Sequence, residues 1–457
     1  MYQFTRFIIC FFHCFSDFLS RDYIVGENKF IRRRKMTFEE YVVYAFQASG
    51  SSNYADALRY FTNTLKNDLD LITPQAVNKQ RMFISPKLYE DVYKKYIDKL
   101  YGEYRGFSKL GEFIIAGCDG SIFHIPNSIL TKIVFDIPIF NIFKRFLSRA
   151  RVSCILDVNS TLILSAKIVS RNIDEITLAI EHLKDLNSRM DISKLLTLYD
   201  RGYGSTKLMI YNLYYGSNFV IRLNSRAFSR KINNMGSNDG IIQINVTKKI
   251  LRSISDANVR EFADKMGRLE IRIVKVELKN GTIEILATNL DSSKYNGAYL
   301  KEIYGKRWAI ETGYDKLKNL IRIEDFTGIR RELIEQDFYA GIFMYNICST
   351  IKFDIETTNM PVPKNTNKKY KITANFSSIV TLIYNYIYKL LVTRNDIKIT
   401  ILNFIYDTCN KRKSYNEINP DVDRKIEKPD YDTRHSGFKK NARRVLARII
   451  LFSELPN

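Results

Sequence analysis

The sequence predicts an α/β protein in which a core of alternating strands and helices is interrupted by a β-rich insertion and flanked by helical regions. Three observations carry this. Residues 112–223 alternate short apolar, β-rich runs with amphipathic helical stretches, the pattern of strands joined through helices. Residues 224–290 are mostly alternating and β-branched, which favours strands. Residues 37–105 and much of 332–452 repeat their apolar positions at the helical period.

The chain opens on Ile8 to Leu19, apolar and aromatic-rich but interrupted by His13, Cys14 and Asp17 and too short to span a bilayer. No small-residue cleavage site follows it, and Arg32-Arg33-Arg34-Lys35 comes next, which does not suit a signal peptide. Residues 1–35 therefore read as a basic and apolar extension, reached from an upstream start codon, ahead of a domain that opens at Met36. No other run reaches membrane-spanning length. Helices are expected at Phe38 to Phe46, Asn53 to Leu65, Thr73 to Phe83 and Pro86 to Tyr101, and they make 36–108 a helical domain. Thr73-Pro74 is a helix start with Pro at the first position. The stretch Ile72 to Arg81 is similar to the recognition helix of a helix-turn-helix, with Gln75, Asn78, Lys79 and Arg81 able to reach base edges or phosphates. An ordinary helical bundle would show the same pattern.

Glu112 to Cys118 is a short apolar strand that ends in Asp119-Gly120-Ser121. Val152 to Val158 and Thr161 to Val169 follow as two strands joined by the hairpin signal Asn159-Ser160. Asn172 caps a helix that shows Ile173, Ile176, Ile180 and Leu183 on one face and Asp174 and Glu175 in its first turn. Leu195 to Tyr199 is a buried strand that ends in Asp200-Arg201-Gly202-Tyr203, before a helix (Ser205 to Tyr214) and the strand Phe219 to Leu223. This order, with one acid ending the first strand and another ending the fourth, resembles the ribonuclease-H-like fold. The insertion, at about 224–290, holds Ile241 to Val246, Leu269 to Leu278 and Thr282 to Thr288 as strands. Glu332 to Lys352 is a long helix, 356–376 a polar linker, Val380 to Tyr406 helical, 411–437 irregular, and Phe438 to Phe452 a basic amphipathic helix. The domains expected are thus 1–35, 36–108, a catalytic 109–355, and a linker with a helical C-terminal region at 356–457.

Lys and Arg number 71 against 49 Asp and Glu in 457 residues, a formal charge of +22. That excess favours a polyanionic partner, nucleic acid first, although a merely basic protein would share it. The six cysteines contain no CxxC pair, which argues against a zinc site or a disulfide framework and fits a reducing cytoplasm. Four histidines are too few for a histidine-built metal cluster.

The most informative stretch runs from Tyr304 to Lys318. At about 100° per residue, Tyr304, Arg307, Glu311 and Lys318 fall within roughly 60° of one helix face, beside an apolar stripe of Ile303, Ile310, Tyr314, Leu317 and Ile321. A carboxylate joined by others can hold a hard divalent cation. Arginine beside it suits a phosphate as a fork and lysine as a point charge. The same spacing would equally give a surface helix in which Arg307 and Glu311 simply pair.

The pattern Y-x2-R-x3-E-x6-K matches, residue for residue, the signature of the DDE transposases of the insertion-sequence-four family, and Ile285 to Leu290 and Trp308 resemble its flanks. The resemblance covers about residues 37–350. It implies that Asp119, Asp200 and Glu311 are the catalytic acids and hold two Mg2+ or Mn2+ ions per active site. Asp200-Arg201-Gly202-Tyr203 is similar to the family's second-aspartate motif. Without the resemblance, Asp119 would be a turn cap and Asp200 a helix cap. It also implies that Tyr304, Arg307 and Lys318 contact DNA beside the cut, and that the partners are transposon ends and target DNA. A homodimer would act in the synaptic complex, in the cytoplasm and on the nucleoid of a bacterial or archaeal cell. Trp308, inside the signature, reads as structural. The rival expectations are a catalytically inactive, transposase-derived DNA-binding protein or repressor, and a nuclease of the same fold that cuts branched DNA.

Overall fold

A computed structural model of the chain describes residues 3–32, 35–47, 54, 56–58, 60, 72–104, 107–136, 148–278, 281–359 and 370–417. Eight strands form one mixed sheet: β1 (Ile114–His124), β2 (Arg149–Asp157), β3 (Ile163–Ser170), β4 (Leu195–Tyr199), β5 (Asn218–Leu223), β6 (Asp239–Asn245), β7 (Arg268–Glu277) and β8 (Ile283–Thr288). Their order across the sheet is β3-β2-β1-β4-β5-β8-β7-β6. β1, β4 and β5 are parallel, β2 and β3 antiparallel on one side, and β8, β7 and β6 antiparallel on the other. β4 is buried at every position, as a central parallel strand covered on both faces must be. In β6, Ile242 and Ile244 alternate with exposed residues, as on a strand with one wet face.

Two expectations about strands change here. β1 does not stop at Cys118: after its pairing with β4 ends, Gly120 to His124 stay paired with β2. Asp119 therefore lies inside a strand. The insertion does supply β6, β7 and β8, but it adds them to the edge of β5 as part of the main sheet. It also contains three helices that the β-rich composition concealed, at Ser229–Asn233, Lys248–Ser253 and Ala257–Met266.

In chain order the remaining helices are α1 (Thr5–His13), α2 (Phe38–Gln47), α3 (Pro74–Arg81), α4 (Lys87–Glu103), α5 (Glu175–Asn187) and α6 (Thr206–Tyr214). The three of the insertion are α7 to α9, and after them come α10 (Gly297–Gly305), α11 (Trp308–Lys316), α12 (Arg331–Asn359), α13 (Phe376–Val392) and α14 (Asn395–Lys411). The long α12 is the axis of the helical packing. Its Asn346 binds both the N–H and the carbonyl of Ile163, at 2.8 and 3.0 Å. Its Gln336 binds the carbonyls of Arg81 and Ile84, and its Thr350 meets the Tyr96 hydroxyl at 2.8 Å. Asp354 accepts from the backbone of Gln3 and Phe4 and from the Tyr406 hydroxyl, and so anchors the start of α1. Residues 1–35, read as an extension, thus supply a helix whose Phe7, Ile8, Phe11 and Phe12 are buried in the core that α4 and α12 share.

Residues 1–361 with 374–414 form one unit, and 362–373 with 415–457 a second. The described residues of the second, 370–373 and 415–417, belong to a two-stranded ribbon, β9 (Tyr370–Ala374) with β10 (Lys413–Glu417). The expected basic helix Phe438 to Phe452, most of the expected helix Asn53 to Leu65, and residues 360–369 of the polar linker fall outside the described residues; 356–359 end α12 and 370–374 form β9. Among those described, no helix is long and apolar enough to cross a membrane.

Candidate active site

β1 and β4 pair in register up to Cys118 and Tyr199. The next residue on each chain is Asp119 and Asp200. Side chains on a strand alternate between faces, so Asp119 follows Ile115, and Asp200 follows Leu196 and Leu198. Those three apolar residues share a cluster with Leu300, Ile303 and Tyr304 of α10, so both aspartates continue onto the face that α10 and α11 cover. Each carboxylate also serves its own backbone. Asp119 Oδ1 accepts from the Gly120 N–H at 2.8 Å, and Asp200 Oδ1 from the Gly202 N–H at 2.7 Å, capping the turn Arg201–Tyr203.

The signature does not lie on one helix. α10 ends at Gly305, where a helix-interior glycine costs about 1 kcal/mol relative to alanine. The chain then crosses to α11 through short-range bonds, Lys306 N–H to Ile303, Arg307 N–H to Tyr304 and Ala309 N–H to Lys306. Beyond α11, Leu317–Ile321 forms a wider π turn. The four signature residues therefore part company. Tyr304 is 5% exposed, its ring in the apolar cluster, so base stacking is closed to it. Its phenol is pushed up to about 12, by burial first and then by Glu284 and Asp200, against Arg307 and Arg222. Lys318 directs its amine to the Ile122 carbonyl at 2.8 Å, over the Phe123 ring and 3.7 Å from Glu324. Arg307 and Glu311 pair as the plainer reading of the spacing foresaw, at 2.6 Å from Nη2 to Oε1, while Arg307 Nη1 stands 4.0 Å from Asp119 Oδ2.

Close packing brings Glu311 to this end of the sheet. A Cβ on Gly117 of β1 would sit 3.3 Å from Ile310, and one on Gly313 of α11 only 2.6 Å from Leu156 of β2. The Tyr314 hydroxyl donates to the Asp119 carbonyl at 2.8 Å. Burial pushes the Asp119 carboxyl up to about 7; the charges of Asp200 and Glu311 push the same way, and the Gly120 N–H and Arg307 oppose them. Asp119 thus feels both other acids. Among the described residues no three acids, histidines or cysteines enclose a common point as they stand; Arg307 holds Glu311 and stands beside Asp119. The donor set, all carboxylate oxygen, fits a hard divalent cation in kind.

The α3 expectation is corrected in part. Thr73 caps the helix and Pro74 opens it, and Gln75 and Lys79 are exposed. Asn78 is half-buried and donates to the Thr327 carbonyl at 2.7 Å. Arg81 is fully buried, bonded to Asp337 at 2.6 Å and to Thr327 at 2.8 Å, which leaves it no reach to a base or phosphate. Trp308, read as structural, is 46% exposed at the start of α11. Sequence reasoning also passed over Arg151 and Glu175, paired at 2.9 Å next to Gly120 and Gly202; their only signal was the first-turn position of Glu175.

Residues 144–347 match a family model described as a transposase DDE domain. Asp200 and Glu311 fall inside the match and Asp119 ahead of it. The resemblance to the insertion-sequence-four type is borne out by a curated relative, the transposase InsG for insertion sequence element IS4 of Escherichia coli (strain K12), 23% identical over 156 residues. That match spans 33% of this chain and 34% of the relative, about a third of its length. A solved structure, the piggyBac transposase synaptic complex with hairpin DNA, is similar with a TM-score of 0.42 and 12% identity over 86% of this chain and 85% of that one.

Proposed function

We propose that the protein is a metal-dependent, cut-and-paste DNA transposase. It binds the terminal inverted repeats of its element, hydrolyses the strands at the ends, and joins the freed ends to target DNA. One observation supports the reading: Asp119, inside β1, and Asp200, just past β4, each follow the last in-register pair of the two strands, on the sheet face that Ile310 of α11 packs against. The strand order β3-β2-β1-β4-β5, with only β2 antiparallel to its neighbours, supports a ribonuclease-H-like core.

Asp119, Asp200 and Glu311 would hold two Mg2+ or Mn2+ ions, which supply activation of the attacking oxygen and stabilisation of the leaving one. The chain's own part is orientation. The Gly120 and Gly202 N–H groups fix the two aspartates, and Tyr314 ties β1 to α11. Arg307, released from Glu311, would take a DNA phosphate in its fork. Lys318 would add a point charge further along the backbone, and exposed Gln75 and Lys79 would contact DNA from α3. Two copies would pair the two ends.

The test is strand cleavage of end DNA in Mg2+ or Mn2+. Asp119→Ala, Asp200→Ala and Glu311→Ala should each abolish cleavage while end binding persists. Cleavage by all three variants would discard the site. Binding without metal-dependent nicking in the unaltered chain would instead mark a repressor, and preference for branched over end DNA a nuclease.

A further inference from the structure

The row of strand ends does not stop at the two aspartates. β4 and β5 pair in parallel register up to Tyr199 and Ile221, so the next residue on each chain is Asp200 and Arg222. Val220, two residues before Arg222, shares the apolar cluster of Leu198 and Tyr304, and alternation along β5 puts Arg222 on that same face. On β8, Leu286 lies opposite Arg222, and Glu284 stands two residues away on the same face. Its Oε1 is 3.2 Å from Arg222 Nη1. Asp119, Asp200 and Arg222 thus form one row across neighbouring strands about 4.8 Å apart, and Glu284 closes it from β8.

Burial makes the two partners of this pair unequal. The Glu284 side chain is 3% exposed and that of Arg222 32%, so the carboxylate is sealed in the sheet while part of the guanidinium meets solvent. The buried carboxylate sets the direction of the arginine. A guanidinium carries five N–H donors in a rigid fork, so one carboxylate contact does not exhaust it. Tyr304 feels this arginine as well as the signature one: burial raises its phenol, and the charges of Arg307 and Arg222 both oppose the rise. Lys318 rests instead on the carbonyl of Ile122, three residues beyond Asp119 on β1. Cations therefore lie beyond the acids in two directions, Lys318 along β1 and Arg222 across to β5.

We propose that Arg222 is a further phosphate ligand of the active site, taking the DNA backbone on the β5 side of the acids. Glu284, delivered by the last strand of the insertion, is its positioning residue. This rests on the reading of Asp119, Asp200 and Glu311 as the cleavage site, and the experiment separates the two. End DNA is bound to the full chain in chelator across a salt series, beside thermal unfolding. Arg222→Gln strips the Arg222 charge from buried Glu284 and should unfold at a lower temperature. The double variant Arg222→Gln, Glu284→Gln should regain most of the midpoint. It should still bind end DNA about tenfold more weakly, with the slope of log K against log salt reduced by about 1. Glu284→Gln alone should keep the slope and lose affinity, because the arginine is no longer held. Arg222→Lys keeps the charge but not the fork; it should also keep the slope and lose affinity, and it serves if the double variant does not fold. Full affinity in the double variant or in Arg222→Lys would mean that Arg222 only balances Glu284. That result would overturn this proposal and leave the active-site reading standing, provided that Asp119→Ala, Asp200→Ala and Glu311→Ala still abolish cleavage. Cleavage by those three variants would overturn both.

Discussion

Arg307 spans two of the three signature acids, donating to Glu311 at 2.6 Å and standing 4.0 Å from Asp119. The same guanidinium would be the phosphate clamp once DNA arrives. Arg307→Gln should therefore weaken binding of end DNA and reduce the slope of log K against log salt by about 1. Arg307→Lys should keep most of that slope but lose affinity, because an ammonium cannot fork. Filter binding across a salt series reads both effects, and an unchanged slope in Arg307→Gln would remove Arg307 from the DNA contact.

Asp119 offers a test of the crowding of acids in the metal-free chain. Its carboxyl is raised to about 7 in the folded state, so between its ordinary range and that value the folded chain binds the extra proton. Stability should then fall as pH rises through this window, by up to about 2 kcal/mol once partial exposure is discounted. Asp119→Asn removes the charge and should be more stable than the unaltered chain at pH 8, with the gap closing near pH 4. Urea denaturation in chelator at both values is the measurement, and a gap of the same size at both would mean that burial and the neighbouring acids do not raise the Asp119 carboxyl.

Gly313 lets α11 lie against β2. A methyl there would meet Leu156 Cδ1 at 2.6 Å. Gly313→Ala should cost about 1–3 kcal/mol of stability and, by shifting Glu311, reduce cleavage more than DNA binding. Leu156→Ala in the same chain should recover part of the cleavage. If the double variant is no better than the single, the contact does not set the position of Glu311.

Much of this arrangement was legible in the sequence. The strand that carries Asp119, the strand that precedes Asp200 and the helix that carries Glu311 are each expected from the sequence where β1, β4 and α11 form. The period of 100° per residue failed at Gly305, because it assumes an unbroken helix; the short-range bonds at Lys306 and Arg307 turn the chain. Polarity misled at Arg81, which satisfies its charge inside the protein with Asp337, a residue far away in sequence. The sequence shows Glu175 only as a first-turn acid; its place beside Gly120 and Gly202 comes from the tertiary fold.

On α3 the buried and the exposed polar residues should separate cleanly. Arg81→Ala strips a partner from half-buried Asp337 and should destabilise the fold by about 3 kcal/mol. Lys79→Ala and Gln75→Ala, both at exposed positions, should leave stability within about 0.5 kcal/mol and weaken end-DNA binding. Thermal unfolding beside a binding titration distinguishes them. Full DNA affinity in the Gln75 and Lys79 variants would take α3 out of the interface.

His182 should make the fold sensitive to acid. Its ring is fully buried between Ser165, 2.8 Å from Nδ1, and Ser153, 3.0 Å from Nε2. Ser165 gives its own proton to Asp185, so it accepts from Nδ1–H, and the neutral ring leaves Nε2 to accept from Ser153. Burial lowers the pKa to about 3 from 6.5, with the charge of Lys167 acting the same way. The unfolded chain therefore binds the proton first, and stability is lost as pH falls from about 6.5 toward 3, at about 1.4 kcal/mol per pH unit for this one group. His182→Asn should be the less stable protein at pH 7.5, since both serines lose a partner. On acidification to pH 5 its deficit should shrink by roughly 2 kcal/mol, because the variant no longer carries a ring that resists protonation. Urea midpoints for the two proteins at pH 7.5, 6 and 5 decide the matter: a deficit that stays constant would mean that the folded chain already accommodates a charged imidazole between the two serines.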